Sequence, residues 1–272
     1  MRNCLAERFD KCRRDKKTAL IIYITAGDPD FATSLKIALS IADSGADILE
    51  LGVPFSDPLA DGEANQLAAE RALSSGMNSL KVLDLACEIR KKCPDLPLVL
   101  FTYLNPVAYS GRIGFRSFCR KATKCGIDAI LPLDLPPEEA ESGFGAAIEE
   151  SGLKLVTLVT PNTPPGRVEY LAGRATGFVY YASREGVTGE SKKFSANFSK
   201  KISMIKKHTR LPVVVGFGIS SADHAKTAAN TGVDGIVVGS AVVRKIEALS
   251  RGEGSIVDIS SFTESLGVAL HR

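Results

Sequence analysis

The chain has 272 residues, of which 44% are hydrophobic and 24% charged, a composition typical of a globular protein with a sizeable core. Its net charge at pH 7 is only +3 and its basic residues are scattered, which argues against nucleic acid or an anionic membrane as a partner. The N-terminus is charged from Arg2 onward, and no apolar run is typical of a signal peptide or long enough to span a bilayer. We therefore expect a cytoplasmic protein.

The cysteines indicate neither a metal site nor a disulfide framework. No Cys-x-x-Cys occurs, and with only three histidines no zinc-binding spacing is present, so we expect no metal. Free thiols in a reducing compartment are the simplest interpretation of all six. They are Cys4, Cys12, Cys87, Cys93, Cys119 and Cys125.

Short apolar runs alternate with segments of helical periodicity along the whole chain. The runs predict eight strands at 19–25, 47–52, 97–103, 127–133, 154–159, 177–182, 212–216 and 234–238. Helices are predicted between them at 31–44, 64–74, 79–92, 113–125, 136–150, 165–172, 194–208, 221–230 and 240–249. Two further helices are predicted at 2–13 and 256–268.

The order of these elements predicts the fold class. The strands are nearly continuous in apolar residues, which is typical of parallel strands covered on both faces. Eight successive β-then-α units favour an α/β fold, a (β/α)₈ TIM barrel with additional N- and C-terminal helices and a single domain over 1–272. The rival is an open doubly wound sheet, which the lack of Gly-x-Gly-x-x-Gly after the first strand disfavours.

Two acidic residues flank the loop that follows the second predicted strand. Glu50 interrupts the apolar strand 47–52, where a carboxyl is costly unless it is used or satisfied. Side chains alternate along a strand, so Glu50 shares a face with Ile48, opposite Leu49 and Leu51. Asp61 ends the Gly/Pro-rich loop 53–63. Two carboxyls placed in this way suit acid–base chemistry on a bound molecule.

Glycines at three predicted strand ends favour a phosphate site. They lie in Ser183-Arg-Glu-Gly-Val-Thr-Gly189, in Gly216-Phe-Gly218 and in Gly239-Ser240. Glycine lets the backbone approach an anion closely, and the free N–H groups of a helix start complement its charge. The loops after strands seven and eight are the recurrent phosphate site of such barrels.

These motifs resemble those of tryptophan synthase α subunits along essentially the whole chain. The match rests on Leu49-Glu-Leu-Gly-Val-Pro-Phe-Ser-Asp-Pro-Leu-Ala-Asp-Gly62, on the three glycine motifs, and on Ile24-Thr-Ala-Gly-Asp-Pro29 and Tyr103-Leu-Asn-Pro106. The resemblance implies cleavage of indole-3-glycerol phosphate to indole and glyceraldehyde 3-phosphate. It also implies an αββα complex with a β subunit that receives the indole. The α chain would use no cofactor, since pyridoxal phosphate belongs to the β subunit.

The resemblance also implies a role for individual residues. Glu50 corresponds to the general acid/base and Asp61 to the carboxylate that accepts the indole N–H. Residues that would hold the phosphate are Gly189, Gly218, Gly239 and Ser240; candidates to enclose the indole are Tyr23, Phe101, Ile130, Tyr180 and Phe217. Arg184 and Thr188 would lie in a loop that closes over the site. Contacts with the β subunit would come from Pro54, Asp57, Asn105 and Pro136.

The chain departs from the family pattern in two places. Glu63-Ala-Asn-Gln66 replaces the usual Pro-Thr-Ile-Gln, and Glu185 stands where a small residue is usual. If Glu63 faced the pocket, its charge would oppose ionisation of Asp61 and slow catalysis, whereas an outward Glu63 would suit the start of the next helix. Two alternative functions therefore stay open. One is a weak or silent α subunit that mainly activates the β subunit, and the other is a different phosphate-handling barrel.

Overall fold

The computed structural model describes residues 3–110, 113–136, 138–139, 143–182, 192–216 and 218–270. Within these ranges all strands pair in parallel and form one sheet. The strands are β1 (Ala19–Thr25), β2 (Ile48–Gly52), β3 (Leu98–Thr102), β4 (Ala129–Pro132), β5 (Lys154–Leu155), β6 (Thr157–Val159), β7 (Val179–Ala182), β8 (Val213–Gly216) and β9 (Gly235–Val238).

The sheet closes on itself as a barrel. Its strand order is β5-β4-β3-β2-β1-β9-β8-β7-β6, and only Val156 separates the two end strands along the chain. The Val156 amide donates to the carbonyl of Ile130 on β4 (2.9 Å), while β6 pairs with β7. The strand predicted at 154–159 therefore exists as two short pieces, and the (β/α)₈ barrel prediction is confirmed.

Helices surround this barrel. They are α1 (Leu5–Arg14), α2 (Phe31–Asp43), α3 (Glu63–Ser74), α4 (Ser79–Lys92), α5 (Leu104–Ala108), α6 (Gly114–Lys124), α7 (Phe144–Ser151), α8 (Pro165–Arg174), α9 (Lys192–Lys207), α10 (Ala222–Ala229), α11 (Ser240–Ser250) and α12 (Ile256–Ala269). The short α5 was not predicted, and α7 begins at Phe144 rather than at 136. None of the described helices is both long and apolar enough to cross a membrane.

Side chains divide into an inner and an outer layer because successive strand residues face opposite sides of the sheet. Ile21, Tyr23 and Ile48 belong to the cluster that fills the barrel, whereas Leu49 and Leu51 pack among the helices outside it. Phe9 of α1 joins the inner cluster and meets Phe178 edge to face, with ring centroids 5.8 Å apart. Helix α1 therefore plugs the end of the barrel at which the strands begin.

A repeated Gly-x-Asp sequence builds the turns at that same end. Gly45, Gly126 and Gly232 have φ values of +88°, +85° and +85°, which glycine adopts without steric cost. Two residues later, each aspartate accepts a hydrogen bond from the neighbouring strand: Asp47 from Leu20 N–H, Asp128 from Leu98 N–H and Asp234 from Val213 N–H (2.8–2.9 Å). These carboxylates fix the register of adjacent strands, and the opposite end of the barrel is left to the longer loops.

The six cysteines do not all remain free thiols. Cys87 of α4 and Cys125, which follows α6, form a disulfide with a Cα–Cα distance of 4.3 Å. The expectation that every cysteine is a free thiol is therefore wrong for this pair. Their helices are adjacent in the outer layer, a proximity that a sequence separation of 38 residues does not reveal. Cys4, Cys12, Cys93 and Cys119 take part in no disulfide.

Candidate active site

A cavity of about 480 Å³ opens at the end of the barrel where the strands finish. Its wall brings Glu50 of β2 together with Asp61 of the following loop and with Gly218, Gly239 and Ser240 near the ends of β8 and β9. Tyr23, Phe101 and Tyr180 complete the inner surface. Residues far apart in sequence meet here because parallel strands present their C-terminal ends to one side.

Glu50 lies on the barrel side of β2 and is completely buried. Among the described residues, none donates a hydrogen bond to either carboxyl oxygen. Burial without compensation disfavours the anion and raises the pKa of Glu50 from 4.5 to about 8. The side chain is therefore mainly protonated at neutral pH and can serve as an acid.

Asp61 is held in a more polar setting. The Tyr103 hydroxyl donates to Oδ2 (2.9 Å), and the Asn65 amide donates to Oδ1 (3.3 Å). The Tyr103 oxygen also accepts the Ala60 N–H (2.8 Å), so the tyrosine is fixed from both sides. The pKa of Asp61 is raised from its ordinary value, because burial outweighs the opposite effect of the hydrogen bonds from Tyr103 and Asn65. Glu50 and Asp61 therefore have unequal environments, as an acid and a carboxylate with different tasks require.

Aromatic side chains share the cavity wall with the two carboxyls. Tyr23 and Phe101 meet edge to face with centroids 5.1 Å apart. Burial raises the pKa values of Tyr23 and Tyr180, and the charges of Asp61 and Glu50 raise them further, so both carboxyls lie within electrostatic reach of each ring. A Cβ at Gly216 would overlap the Tyr180 ring, so glycine is required there for the ring to occupy its place.

The opposite part of the cavity is suited to an anion. Gly239 precedes α11 and Ser240 is its first residue, and both line the cavity, so the start of this helix lies at the cavity wall. Arg244 lies one turn further along α11, exposed at the cavity, and is the only basic side chain among the described lining residues. Ser240 and Arg244 are four positions apart and therefore lie on the same face of α11.

One predicted lining residue is misplaced. Ile130 packs in the outer layer, because its neighbour Leu131 pairs with Phe101 and occupies the inner face. The prediction that Ile130 encloses a ring in this cavity is therefore wrong, and the side chain that faces inward belongs to the next residue of β4, Leu131. Gly189, Arg184, Thr188, Glu185 and Phe217 lie outside the described residues.

Of the two orientations that the sequence left open for Glu63, the structure has the outward one. It is exposed as the first residue of α3 and takes no part in the cavity wall. Its negative charge complements the positive end of the α3 dipole. It does not figure among the groups that shift the pKa of Asp61.

The loops around the cavity mouth carry the predicted contact residues. Asp57, Asn105 and Pro136 are exposed, but Pro54 is buried within the chain and supports its loop from below, so its predicted role as a surface contact is wrong. Sequence reasoning missed two apolar side chains in these loops, Leu59 and Tyr109, which are 92% and 80% exposed. It also missed Tyr103 as a site residue, although the sequence places it one position beyond β3, at the end of the barrel that carries Asp61.

Comparisons with known proteins agree with this architecture. Residues 9–269 match the family described as "Tryptophan synthase alpha chain". The chain belongs to the tryptophan synthase alpha chain family. It is 46% identical to the tryptophan synthase alpha chain of Opitutus terrae over 242 residues, which cover 89% of each chain. With the alpha chain of Geobacter sulfurreducens it shares 42% identity over 266 residues, covering 97% of this chain and 98% of the relative.

Solved structures of this family have the same fold. A tryptophan synthase alpha chain from Legionella pneumophila superposes with a TM-score of 0.88 at 32% identity, covering 99% of this chain and 98% of that one. Membership of the alpha chain family implies a lyase role in tryptophan synthesis and a beta chain as partner.

Proposed function

We propose that this alpha chain cleaves indole-3-glycerol phosphate to indole and glyceraldehyde 3-phosphate. The observation that carries the proposal is the pairing, within one cavity, of a fully buried Glu50 without hydrogen bonds from the described residues and a hydrogen-bonded Asp61. Tyr23, Phe101 and Tyr180 would enclose the aromatic bicycle, and Gly218, Gly239 and Ser240 would hold the phosphate.

The chemistry needs two acids because direct cleavage would expel an indole carbanion. Glu50 first delivers its proton to the ring carbon C3, and the positive charge that develops on the ring nitrogen is stabilised by the Asp61 carboxylate. The Glu50 carboxylate then takes the proton of the adjacent glyceryl hydroxyl. As its oxygen forms the aldehyde carbonyl, the carbon–carbon bond breaks and its electron pair restores the neutral indole.

This sequence of steps balances every proton and electron with the two carboxyls, so it calls for no cofactor in the alpha chain. The indole would pass to the β subunit within an αββα complex. Phosphate binding would come from N–H groups at Gly218, Gly239 and Ser240 and from the Ser240 hydroxyl, with Arg244 adding positive charge. Binding of the phosphate would also hold the scissile bond next to Glu50.

The direct test is release of indole from indole-3-glycerol phosphate by the purified chain, alone and with the β subunit. Glu50→Gln and Asp61→Asn should each lower kcat by at least about a hundredfold, the scale on which a missing general acid or charge stabiliser acts. A wild-type chain that releases no indole even with its partner, or a Glu50→Gln variant as active as the wild type, would overturn the proposal.

A further inference from the structure

We propose that Asn65 is a positioning and specificity residue of this site, holding Asp61 through its amide nitrogen and offering its amide oxygen to the N–H group of the bound heterocycle. The inference rests on the proposed function and deepens it. Neither the acid–base roles nor the phosphate site accounts for an amide side chain at this point of the cavity wall.

The first observation is the contact with Asp61. Asn65 is the third residue of α3, and its side chain turns back across the helix start so that Nδ2 lies 3.3 Å from Asp61 Oδ1. The next residue, Gln66, donates from Nε2 to the main-chain carbonyl of Asp61 (2.9 Å). The first turn of α3 therefore holds both the carboxylate and the backbone of Asp61, while Tyr103 holds the second carboxylate oxygen.

The second observation is the other end of the same amide. Asn65 Oδ1 is buried and accepts no hydrogen bond from any part of the chain that the structure describes. The amide cannot relieve this by turning over, because Oδ1 would then face the Asp61 carboxylate with acceptor against acceptor. A ligand that carries a donor and lies against Asp61 can satisfy the orphaned oxygen.

The proposed substrate carries such a donor at the required place. Its indole N–H would bind Asp61, and an acceptor on the neighbouring Asn65 can share that hydrogen or receive it as the ring shifts. An apolar residue at position 65 would serve the ring by packing alone. We therefore expect Asn65 to favour heterocycles with an N–H over ligands of the same shape that lack one.

The test measures binding and turnover separately. Dissociation constants for indolepropyl phosphate and for its benzothiophene counterpart, which lacks the N–H, are determined by calorimetry for wild type, Asn65→Leu and Asn65→Asp. In Asn65→Leu the preference for the indole ligand should fall about fivefold or more, the effect of one hydrogen bond. Asn230→Leu makes the same substitution at an exposed site outside the cavity and should leave the preference unchanged.

The pH profile of kcat/KM is the second readout. Asp61 must be ionised to act, so loss of the Asn65 donor should move the acidic limb to higher pH in Asn65→Leu and further in Asn65→Asp, which adds a negative charge. If Asn65→Leu does not fold, Asn65→Asp carries the test. A folded variant whose ligand preference and acidic limb both match the wild type would overturn the inference. Absence of turnover by the wild type would instead refute the proposed function, and the binding preference would still decide the role of Asn65.

Discussion

Glu50 illustrates how a single residue combines function with a cost in stability. Its carboxyl is wholly buried without a hydrogen bond from any described residue, an arrangement that a protein core ordinarily avoids. Its pKa rises because the charged form is desolvated. The same desolvation that destabilises the folded chain keeps the proton available for delivery to a ring carbon.

Replacing this group should raise stability in a pH-dependent manner. Glu50 has a pKa of about 8 in the folded chain against an ordinary value of 4.5, so the folded state binds the extra proton between these values. Wild-type stability should therefore fall as the pH rises from about 4.5 to about 8, whereas Glu50→Gln lacks this loss. Thermal unfolding of both proteins at pH 5 and pH 8 measures the effect. A Tm difference that stays constant over this range would contradict the burial argument.

Arg244 provides a test of whether positive charge contributes to the proposed phosphate site. Arg244→Gln should raise KM for the phosphate substrate about fivefold to tenfold with little change in kcat, because a charge-assisted contact to the phosphate acts on binding. Lys245→Gln is the matched control, since Lys245 lies over the Phe262 ring (5.1 Å) and takes no part in the cavity wall. The KM and kcat of both variants are measured by steady-state kinetics at low and high salt. Equal KM values for both variants would exclude Arg244 from phosphate binding.

At the scale of elements, α3 is the support on which the site depends. Its first turn holds Asp61, and Arg71 in its last turn donates from Nε and Nη2 to the buried Asp28 in the loop after β1 (2.8 Å each). Arg71 also approaches Glu247 of α11, the helix that begins at Ser240. One ion-pair cluster thus joins α3, which supports Asp61, to α11, whose first residue lies at the proposed phosphate site.

Breaking this cluster should destabilise the fold. Arg71→Met leaves the Asp28 carboxylate buried without its partner, which costs about 3–5 kcal/mol for a buried pair. Urea unfolding measures the loss, and Asp28→Asn in the same chain should restore part of it. Arg251→Met removes an exposed partner of the same Glu247 and should cost less than about 1 kcal/mol. Similar losses for the two single variants would show that Arg71 is not a buried support.

The start of α3 decides between two interpretations of Glu63. Since this residue is exposed at a helix N-terminus and absent from the cavity wall, Glu63→Gln and Glu63→Pro should leave the rate of indole release within about twofold of wild type. The outward position of Glu63 removes one reason to expect a weak or silent subunit, whereas Asn65 of the same altered 63–65 segment lies in the cavity wall. A several-fold faster Glu63→Pro variant would show that Glu63 does handicap Asp61.

At the scale of the whole molecule, the barrel separates stability from function. The Gly-x-Asp turns and α1 close the end at which the strands begin, and the longer loops at the other end carry the cavity and the exposed Leu59 and Tyr109. We expect the beta chain, the partner that family membership implies, to meet the surface that these loops form.

This surface can be tested by mutual activation. Leu59→Ser and Asp57→Ala should each weaken the stimulation of the β subunit, while the Tm of the isolated chain stays within about 1 °C because both side chains are solvated. Val268→Ser, which alters an equally apolar and 76% exposed side chain on α12, is the control. Titration of the β subunit with each variant gives the apparent affinity. If Leu59→Ser and Val268→Ser behave alike, the partner surface lies elsewhere.

Patterns of local origin allowed much of this molecule to be predicted. Strand and helix positions follow from apolar periodicity, and the face of Glu50 follows from simple alternation, which the inner position of Ile48 confirms. Ile130 was a wrong candidate for the cavity, because the apolar run 127–133 does not reveal which of its side chains face the inside of the barrel. The start of α7 and the short α5 were missed for a similar reason, since no strong capping signal marks either one.

What the sequence by itself determined is the barrel, the two carboxyls and the glycines at the strand ends, since each depends on residue type and spacing along the chain. Only the tertiary structure decided that Tyr103 and Asn65 hold Asp61, that Arg244 lines the cavity, that Pro54 is buried and that Cys87 meets Cys125. The physical reason is that hydrogen bonds, desolvation and burial depend on which distant segments become neighbours when the sheet closes, and no local pattern records those distances.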